Sequence, residues 1–287
     1  MGVGSSDIAS ALRQVGLQPG DIAFVHSRLF TVGLLADAPR PSEIPGIYLK
    51  AFQSVLGDSG TIVVPTYTTS FGRYGKPFVL EESPSEMGLF SETVRKSPGA
   101  RRSLHPIYSV AALGRQAAEL TEDHPRWNVG YDTVWDRMHR RGTKVLALGL
   151  PLRQCMSFIH HVEYLACVPY LYHKLLDGEV FVGGQSLAQN RFMMVVRYLE
   201  FDVMWDLAAL ETDLQSAGLL ARVPLGNAWV SAVRMDDVFR ICMQGLRRDP
   251  YYLLKQSPQF VPGRIPFDGP SILQEAGPPQ GYYDITE

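Results

Sequence analysis

Two short apolar runs, "IAFVHS" (22–27) and "TIVVPTYT" (61–68), lie about 40 residues apart with a helical pattern between them. A strand wetted on one face alternates apolar and polar residues, whereas a continuous apolar run suits a strand covered on both faces. Strand, helix, strand at this spacing is the unit of a parallel sheet. The expected fold class is therefore α/β: a mixed, largely parallel central sheet with flanking helices and a C-terminal antiparallel and helical portion.

The rest of the chain extends this pattern. "SSDIASALRQVGLQPGD" reads as a helix and a turn, residues 43 to 56 as a second helix, and "SEMGLFSETVRK" as a helix capped by Ser85. "IYSVAALG" and "GTKVLALGL" read as further strands, and a helix is expected to start in "CMSFIHHVEYL" just after the second of them. "GEVFVGG" and "NRFMMVVRYLEFDV" read as antiparallel strands, followed by a helix at 205–217, a hairpin around "PLGNA" and a helix from Asp236 to about Arg248. Residues 68–85, rich in Gly, Pro and Ser, form a long loop of the kind that carries function. One domain is expected over 1–255, with an irregular Pro/Gly-rich tail at 256–287.

With 46% hydrophobic residues in 287, the chain can bury one sizeable core. Its 27 basic and 29 acidic residues leave a net charge of -2, which gives no general attraction to a polyanion, so nucleic acid is not an expected partner. Nor is a membrane: neither a signal-peptide pattern nor 18 consecutive apolar residues occur. Cys155, Cys167 and Cys242 are too few and too scattered for a disulfide framework or a structural zinc site, which fits a reducing cytoplasm.

In an open α/β sheet, ligands bind outside the carboxyl ends of the strands. Four stretches therefore stand out: "HSRLFTVG", "PTYTTSFG", "SLHPIYSV" and "SFIHHVE". On a helix, positions three apart share a face and adjacent ones do not, so His160 can meet Glu163 while His161 points elsewhere. A carboxylate beside an imidazole fixes its tautomer and stabilises its protonated form, as a general base requires. The same pair also reads as a satisfied polar contact on a helix, and the residues alone leave both readings open. HExxH and HxxEH are absent, so no metal is expected, and Cys155 reads as a packed bystander.

"LRQVGLQPGDIAFVHSRL...VG", "GTIVVPTYT", "SPSEMGLFSETVRKSPGARRSLHPIYSVAALG" and "SFIHHVEYLACVPY" follow one another in the order and spacing of the aminoglycoside N(3)-acetyltransferase family, also called the antibiotic N-acetyltransferase family. The resemblance covers about residues 6 to 250 and implies that family's fold. It also implies an acyltransferase that moves the acetyl group of acetyl-CoA, as co-substrate, to the amine of an amino sugar or a similar acceptor. By resemblance, His160 is the base, Glu163 orients it, and Ser157, where the family usually has Thr, donates to the thioester oxygen or its oxyanion. Coenzyme A would lie against His26, Ser27, Arg28, Leu29, Gly33, Ser103, His105, Ser109 and Val110. His105 also reads as structural, and the Arg101–Arg102 pair either attracts the 3'-phosphate or is merely solvated. Tyr67, Glu200 and Asp202 are the candidate acceptor contacts. A monomer or homodimer is expected.

Two departures concern the acceptor. The family commonly has Asn-Thr where this chain has Met156-Ser157. Members acting on polycationic aminoglycosides carry a run of carboxylates where this chain has Glu200, Asp202 and Asp206 among Met193, Met194, Met204 and Trp205. Desolvated ammonium groups need anionic partners, so the expected acceptor is less cationic than an aminoglycoside. An aminoglycoside-resistance enzyme and a catalytically idle binding protein are the alternatives.

Overall fold

The computed structural model describes residues 2–36, 40–188, 190–198, 201 and 203–260. The apolar runs become the centre of a seven-stranded sheet. Strand β1 (Ile22–Ser27) pairs in parallel with β2 (Thr61–Pro65), and on its other side with β6 (Lys144–Leu148). Outward from this centre every pairing is antiparallel. β5 (Val110–Gly114) and β4 (Arg101–Arg102) extend one side, and the hairpin β11 (Ala221–Leu225) and β12 (Ala228–Arg234) extends the other, giving the order β11-β12-β6-β1-β2-β5-β4.

Alternation along β1 sends Ile22 and Phe24 to one face of the sheet and Ala23 and Val25 to the other, and each set joins a different core. Helices α1 (Ser5–Gln14), α2 (Ile44–Leu56) and α4 (Leu89–Arg95) cover the Ala23 face. α5 (Ala117–Thr121), α6 (Val134–Arg140), α7 (Ile159–Leu165), α8 (Ala208–Ser216) and α9 (Met235–Arg248) cover the Phe24 face. α9 shows why: Val238, Ile241, Cys242, Gly245 and Leu246 recur at helical spacing and all are buried, while Asp236, Asp237, Arg247 and Arg248 sit at the ends whose dipole they complement.

The expected long loop carries structure of its own. α3 (Thr69–Tyr74) and β3 (Phe78–Val79) lie within it, and β3 pairs with β8 (Val180–Val182), which in turn pairs with β9 (Gln185–Ser186). Ser85 does not cap α4: its hydroxyl accepts from Met87 N, and the helix starts after Gly88, whose φ of 96° suits glycine. β10 (Phe192–Arg197) pairs antiparallel with β7 (Leu171–Leu176), making a separate two-stranded ribbon. Most of the expected tail, 261–287, lies outside the described residues. Among the described residues, no helix is long and apolar enough to cross a membrane.

Four histidines are buried in this framework. Desolvation lowers the pKa of His26 and His105 to about 3 and that of His124 and His161 to about 4, so all four are neutral at working pH. In the unfolded chain they titrate near 6.5. Between pH 6.5 and 4 the unfolded state therefore binds more protons than the native state, and stability falls as pH falls, by at most roughly 1.4 kcal/mol per pH unit for each histidine. Thermal melts from pH 7 to 4.5 should show a steadily dropping midpoint, whereas a flat profile contradicts neutral burial.

Candidate active site

α7 is short, and its geometry separates the two adjacent histidines. His160 Nδ1 lies 2.8 Å from Glu163 Oε2. A carboxylate only accepts, so in the neutral ring Nδ1 is the nitrogen that carries the proton and Nε2 the one with the lone pair. His161 instead is 1% exposed and accepts from Gly130 N through Nδ1 at 3.2 Å. It packs rather than reacts.

Glu163 has no solvent exposure and, among the described residues, no lysine or arginine within salt-bridge distance, so donors must offset its desolvation. Two further donors do so: Tyr170 Oη and Trp205 Nε1 each lie 2.7 Å from Oε1. Burial and the neighbouring carboxylate push the Tyr170 phenol far up, so it remains a donor at any working pH. The His160 ring is held edge-on to Trp205 with centroids 4.8 Å apart, and to Tyr108 at 6.1 Å. Arg197 lies over the Trp205 ring at 5.3 Å.

His160 opens onto a cavity of about 390 Å³. That is within the range of small-molecule sites. Ser157, on the turn before α7, lines it, and its carbonyl accepts from His160 N. Tyr67 lines it too and stacks on Tyr108 at 4.8 Å. The buried Tyr67 hydroxyl neighbours Ser157, but the two do not close a well-formed hydrogen bond. Met156 completes this wall with a thioether, 4% exposed. His160, Glu163, Ser157 and Tyr67 are thus brought together. Glu200 and Asp202 lie outside the described residues.

The expected coenzyme A residues divide into two groups. His26 shares the face of Phe24, lines the cavity, and buries an Nε2 that has no hydrogen-bond partner among the described residues. An orphaned polar atom on a cavity wall fits an amide-bearing ligand such as the pantetheine arm. Ser27, Arg28, Leu29 and Gly33 form the turn beyond it. Arg28 N donates to Leu148 O at 2.8 Å, and Thr31 Oγ1 bonds both Arg28 O and Gly149 O. Gly149, with φ 78°, leaves no room for a Cβ against Arg28 and Thr31, so the β1 and β6 ends are locked at one edge.

Ser103, His105, Ser109 and Val110 are not among the residues that line the cavity, and neither are Ser27, Arg28, Leu29 and Gly33. Ser103 Oγ accepts from Val110 N, Ser109 Oγ donates to Thr66 O, and Val110 is buried within β5. His105 accepts from Tyr108 N at Nδ1 and faces Met193 O, 3.3 Å away, through Nε2. It ties the β7/β10 ribbon to the body. Arg102 is a clamp rather than a solvated side chain, donating to Ser83 O and, on both sides of Tyr67, to Thr66 O and Thr68 Oγ1. Cys155 donates its thiol to Leu152 O, and burial raises its pKa, which removes it as a nucleophile.

Residues 24–247 match the family described as aminoglycoside 3-N-acetyltransferase. The chain belongs to that family. This places it among acyltransferases, as expected from the sequence. It is 34% identical over 198 residues to aminoglycoside N(3)-acetyltransferase VII of Streptomyces paromomycinus, an alignment covering 60% of this chain and 66% of the relative. It is 28% identical over 253 residues to aminoglycoside N(3)-acetyltransferase IV of Salmonella sp, covering 87% and 89%. Its fold matches AAC-IIIb, solved as a binary complex with CoASH, at a TM-score of 0.74 and 23% identity over 90% of this chain and all of that one.

Sequence reasoning missed Tyr170 and Trp205, because their link to Glu163 is tertiary: no local spacing encodes it. Removing one donor should expose its worth. Tyr170→Phe leaves Glu163 Oε1 one bond short and should destabilise the fold by about 1.5–3 kcal/mol, read by urea denaturation, with a parallel loss of kcat. Unchanged stability would mean that Tyr170 contributes no net hydrogen bond.

Proposed function

We propose that the chain is an acetyl-CoA-dependent N-acyltransferase of the cytoplasm, acting on an amino sugar or a related amine by direct transfer. The observation that carries this reading is the His160–Glu163 pair, with Nδ1 occupied and Nε2 available at the cavity. An amine of ordinary pKa is mostly ammonium at neutral pH and has no lone pair to attack with. Once the ammonium has lost a proton to solvent, the neutral amine nitrogen attacks the thioester carbonyl carbon, a C–N bond forms, and a second proton of that nitrogen passes to His160 Nε2. Glu163, buried and acceptor-only, stabilises the imidazolium in a medium where charges interact strongly. Collapse then breaks the C–S bond, and the leaving thiolate takes the proton, giving amide and free thiol.

Ser157 is assigned as the donor to the carbonyl oxygen as negative charge develops there. His26 and the turn to Gly33 are assigned to coenzyme A, with Arg153 nearby at the same edge. The idle-protein reading fares worse, since a buried carboxylate costs stability and needs three donors to stand.

A second reading takes support from the relatives, both of which are named aminoglycoside N(3)-acetyltransferases. The cavity favours the first: among the described residues its lining includes Met156, Met194 and Trp205 but no Asp or Glu. Thiol release from acetyl-CoA should be measured against aminoglycosides, amino-sugar nucleotides and simple amines. His160→Ala should lower turnover roughly 100-fold or more, and Ser157→Ala about 100-fold. Near-normal turnover in the first variant would remove His160 from the mechanism, and rates with kanamycin matching the best amine would favour the second reading.

A further inference from the structure

The loop after β2 fixes one aromatic side chain from both sides. Tyr67 sits between Thr66, whose carbonyl accepts from Arg102 at 2.6 Å, and Thr68, whose Oγ1 accepts from the same guanidinium at 2.9 Å. Glu86 N donates to Tyr67 O at 3.0 Å. The ring stacks on Tyr108 with centroids 4.8 Å and planes 18° apart, and Tyr108 in turn stands edge-on to the His160 ring. Tyr67 lines the cavity, yet its hydroxyl oxygen is buried and, among the described residues, has no hydrogen-bond partner. A buried hydroxyl left unbonded costs about 1–3 kcal/mol, and phenylalanine would fill the same space without that cost. The neighbour of this hydroxyl is the Ser157 side chain, half-buried on the same wall. Burial pushes the Tyr67 phenol well up, so it keeps its proton at any working pH.

We propose that Tyr67 is a positioning residue for acyl transfer: its hydroxyl donates to Ser157 Oγ and so turns the one hydroxyl hydrogen of Ser157 toward the thioester carbonyl oxygen. The inference rests on the acyl-transfer reading above and deepens it on the oxyanion side of the site. A serine hydroxyl has one hydrogen and two lone pairs, and it rotates to suit its surroundings. Left alone, it can give that hydrogen to a nearby backbone carbonyl instead of to a ligand. Once Tyr67 donates to one lone pair, the Ser157 hydrogen is directed away from Tyr67 and into the cavity. No proton is transferred along this chain: both hydroxyls keep their hydrogens, and each bond polarises the next. Hydrogen bonds of catalytic sites commonly tighten only when the reacting groups are in place, which accounts for two hydroxyls that are neighbours without closing a well-formed bond. Burial shields the Tyr67 oxygen from the cavity, so it acts through Ser157 and not on the substrate.

The test is a double-mutant cycle in the full-length protein, read by thiol release from acetyl-CoA with the fastest of glucosamine, kanamycin and 6-aminohexanoate as acceptor. Tyr67→Phe should lower kcat roughly 10-fold, the worth of one net hydrogen bond. The KM values for acceptor and acetyl-CoA should stay within about twofold, and the urea midpoint should be unchanged or raised, because an unbonded hydroxyl has been removed. In a Ser157→Ala background the same substitution should change kcat by less than about twofold. Equal losses in both backgrounds overturn the inference, because the hydroxyl then acts independently of Ser157. A raised acceptor KM at unchanged kcat overturns it as well and makes Tyr67 an acceptor contact, and a lowered urea midpoint at unchanged kcat makes the hydroxyl structural. A second readout needs no acceptor: the ketone stretching band of bound acetyl-dethia-CoA, in which a methylene replaces the thioester sulfur. The band should fall on binding to the wild type, fall less with either single variant, and lie at the same place for Ser157→Ala and the double variant. A band that Tyr67→Phe leaves in place overturns the inference while leaving acyl transfer standing. Failure of both acetyl-CoA and the analogue to bind overturns both.

Discussion

A carboxylate with no exposure, and with no arginine or lysine within salt-bridge distance among the described residues, is the constraint around which the catalytic half of the molecule is built. Among the described residues Glu163 is bonded by three side-chain donors from three places in the chain: His160 on its own helix, Tyr170 just before β7, and Trp205 after β10. Each must be held where it is, because leaving a buried charge short of a donor costs more than the bond itself contributes. Trp205 is in turn fixed by the chain beyond α9, where Asp206 N donates to Leu253 O and Lys255 N to Met204 O. The helix carrying the base, the ribbon over the cavity and the C-terminal turn are thus coupled through one side chain. When His160 takes a proton the pair becomes ionic, and the environment that made Glu163 costly then stabilises the imidazolium.

The sheet supplies the other half of the site by topology. Parallel β6, β1 and β2 bring their carboxyl ends to one edge. β5 runs the other way, so its first residue, Val110, pairs with Pro65 at the end of β2. The segment entering β5 therefore arrives at the same edge as His26 and Tyr67, which is why His105, Tyr108 and Ser109 crowd there although only Tyr108 among them lines the cavity.

Legibility followed the range of the interactions. β1, β2 and β6 were readable because burial on both faces leaves a continuous apolar run, and the His160–Glu163 contact because three helical positions bring two side chains together. The parallel pairing inferred from the first strands holds for the centre alone: nothing local in "SVAALG" or "AWVSAVR" distinguishes an antiparallel neighbour from a parallel one. β7 escaped notice because His173 and Lys174 interrupt its apolar residues, and its partner lies nearly 20 positions on. Tyr170 and Trp205 left no pattern at all. Met156, conspicuous in sequence as a thioether beside the base, does line the cavity, whereas the acidic candidates Glu200 and Asp202 fall outside the described residues.

Ser103, His105, Ser109 and Arg102 teach a different lesson, because they belong to the stretch that most sharply marks the family resemblance. Their side-chain donors and acceptors are engaged within the fold. Arg102 is held among backbone oxygens with Phe78 beneath its guanidinium at 4.7 Å, and burial lowers its pKa to about 9. Its five bonds reach three carbonyls, Leu80 O, Ser83 O and Thr66 O, and two hydroxyls, Ser109 Oγ and Thr68 Oγ1, a fan that the planar guanidinium suits. Of these partners Thr66 and Thr68 flank Tyr67, and His105 reaches the ribbon that carries Lys174. Within the most recognisable stretch of sequence, Met87, Ile107 and Tyr108 line the cavity, while Arg102, Ser103, His105 and Ser109 act one layer behind it.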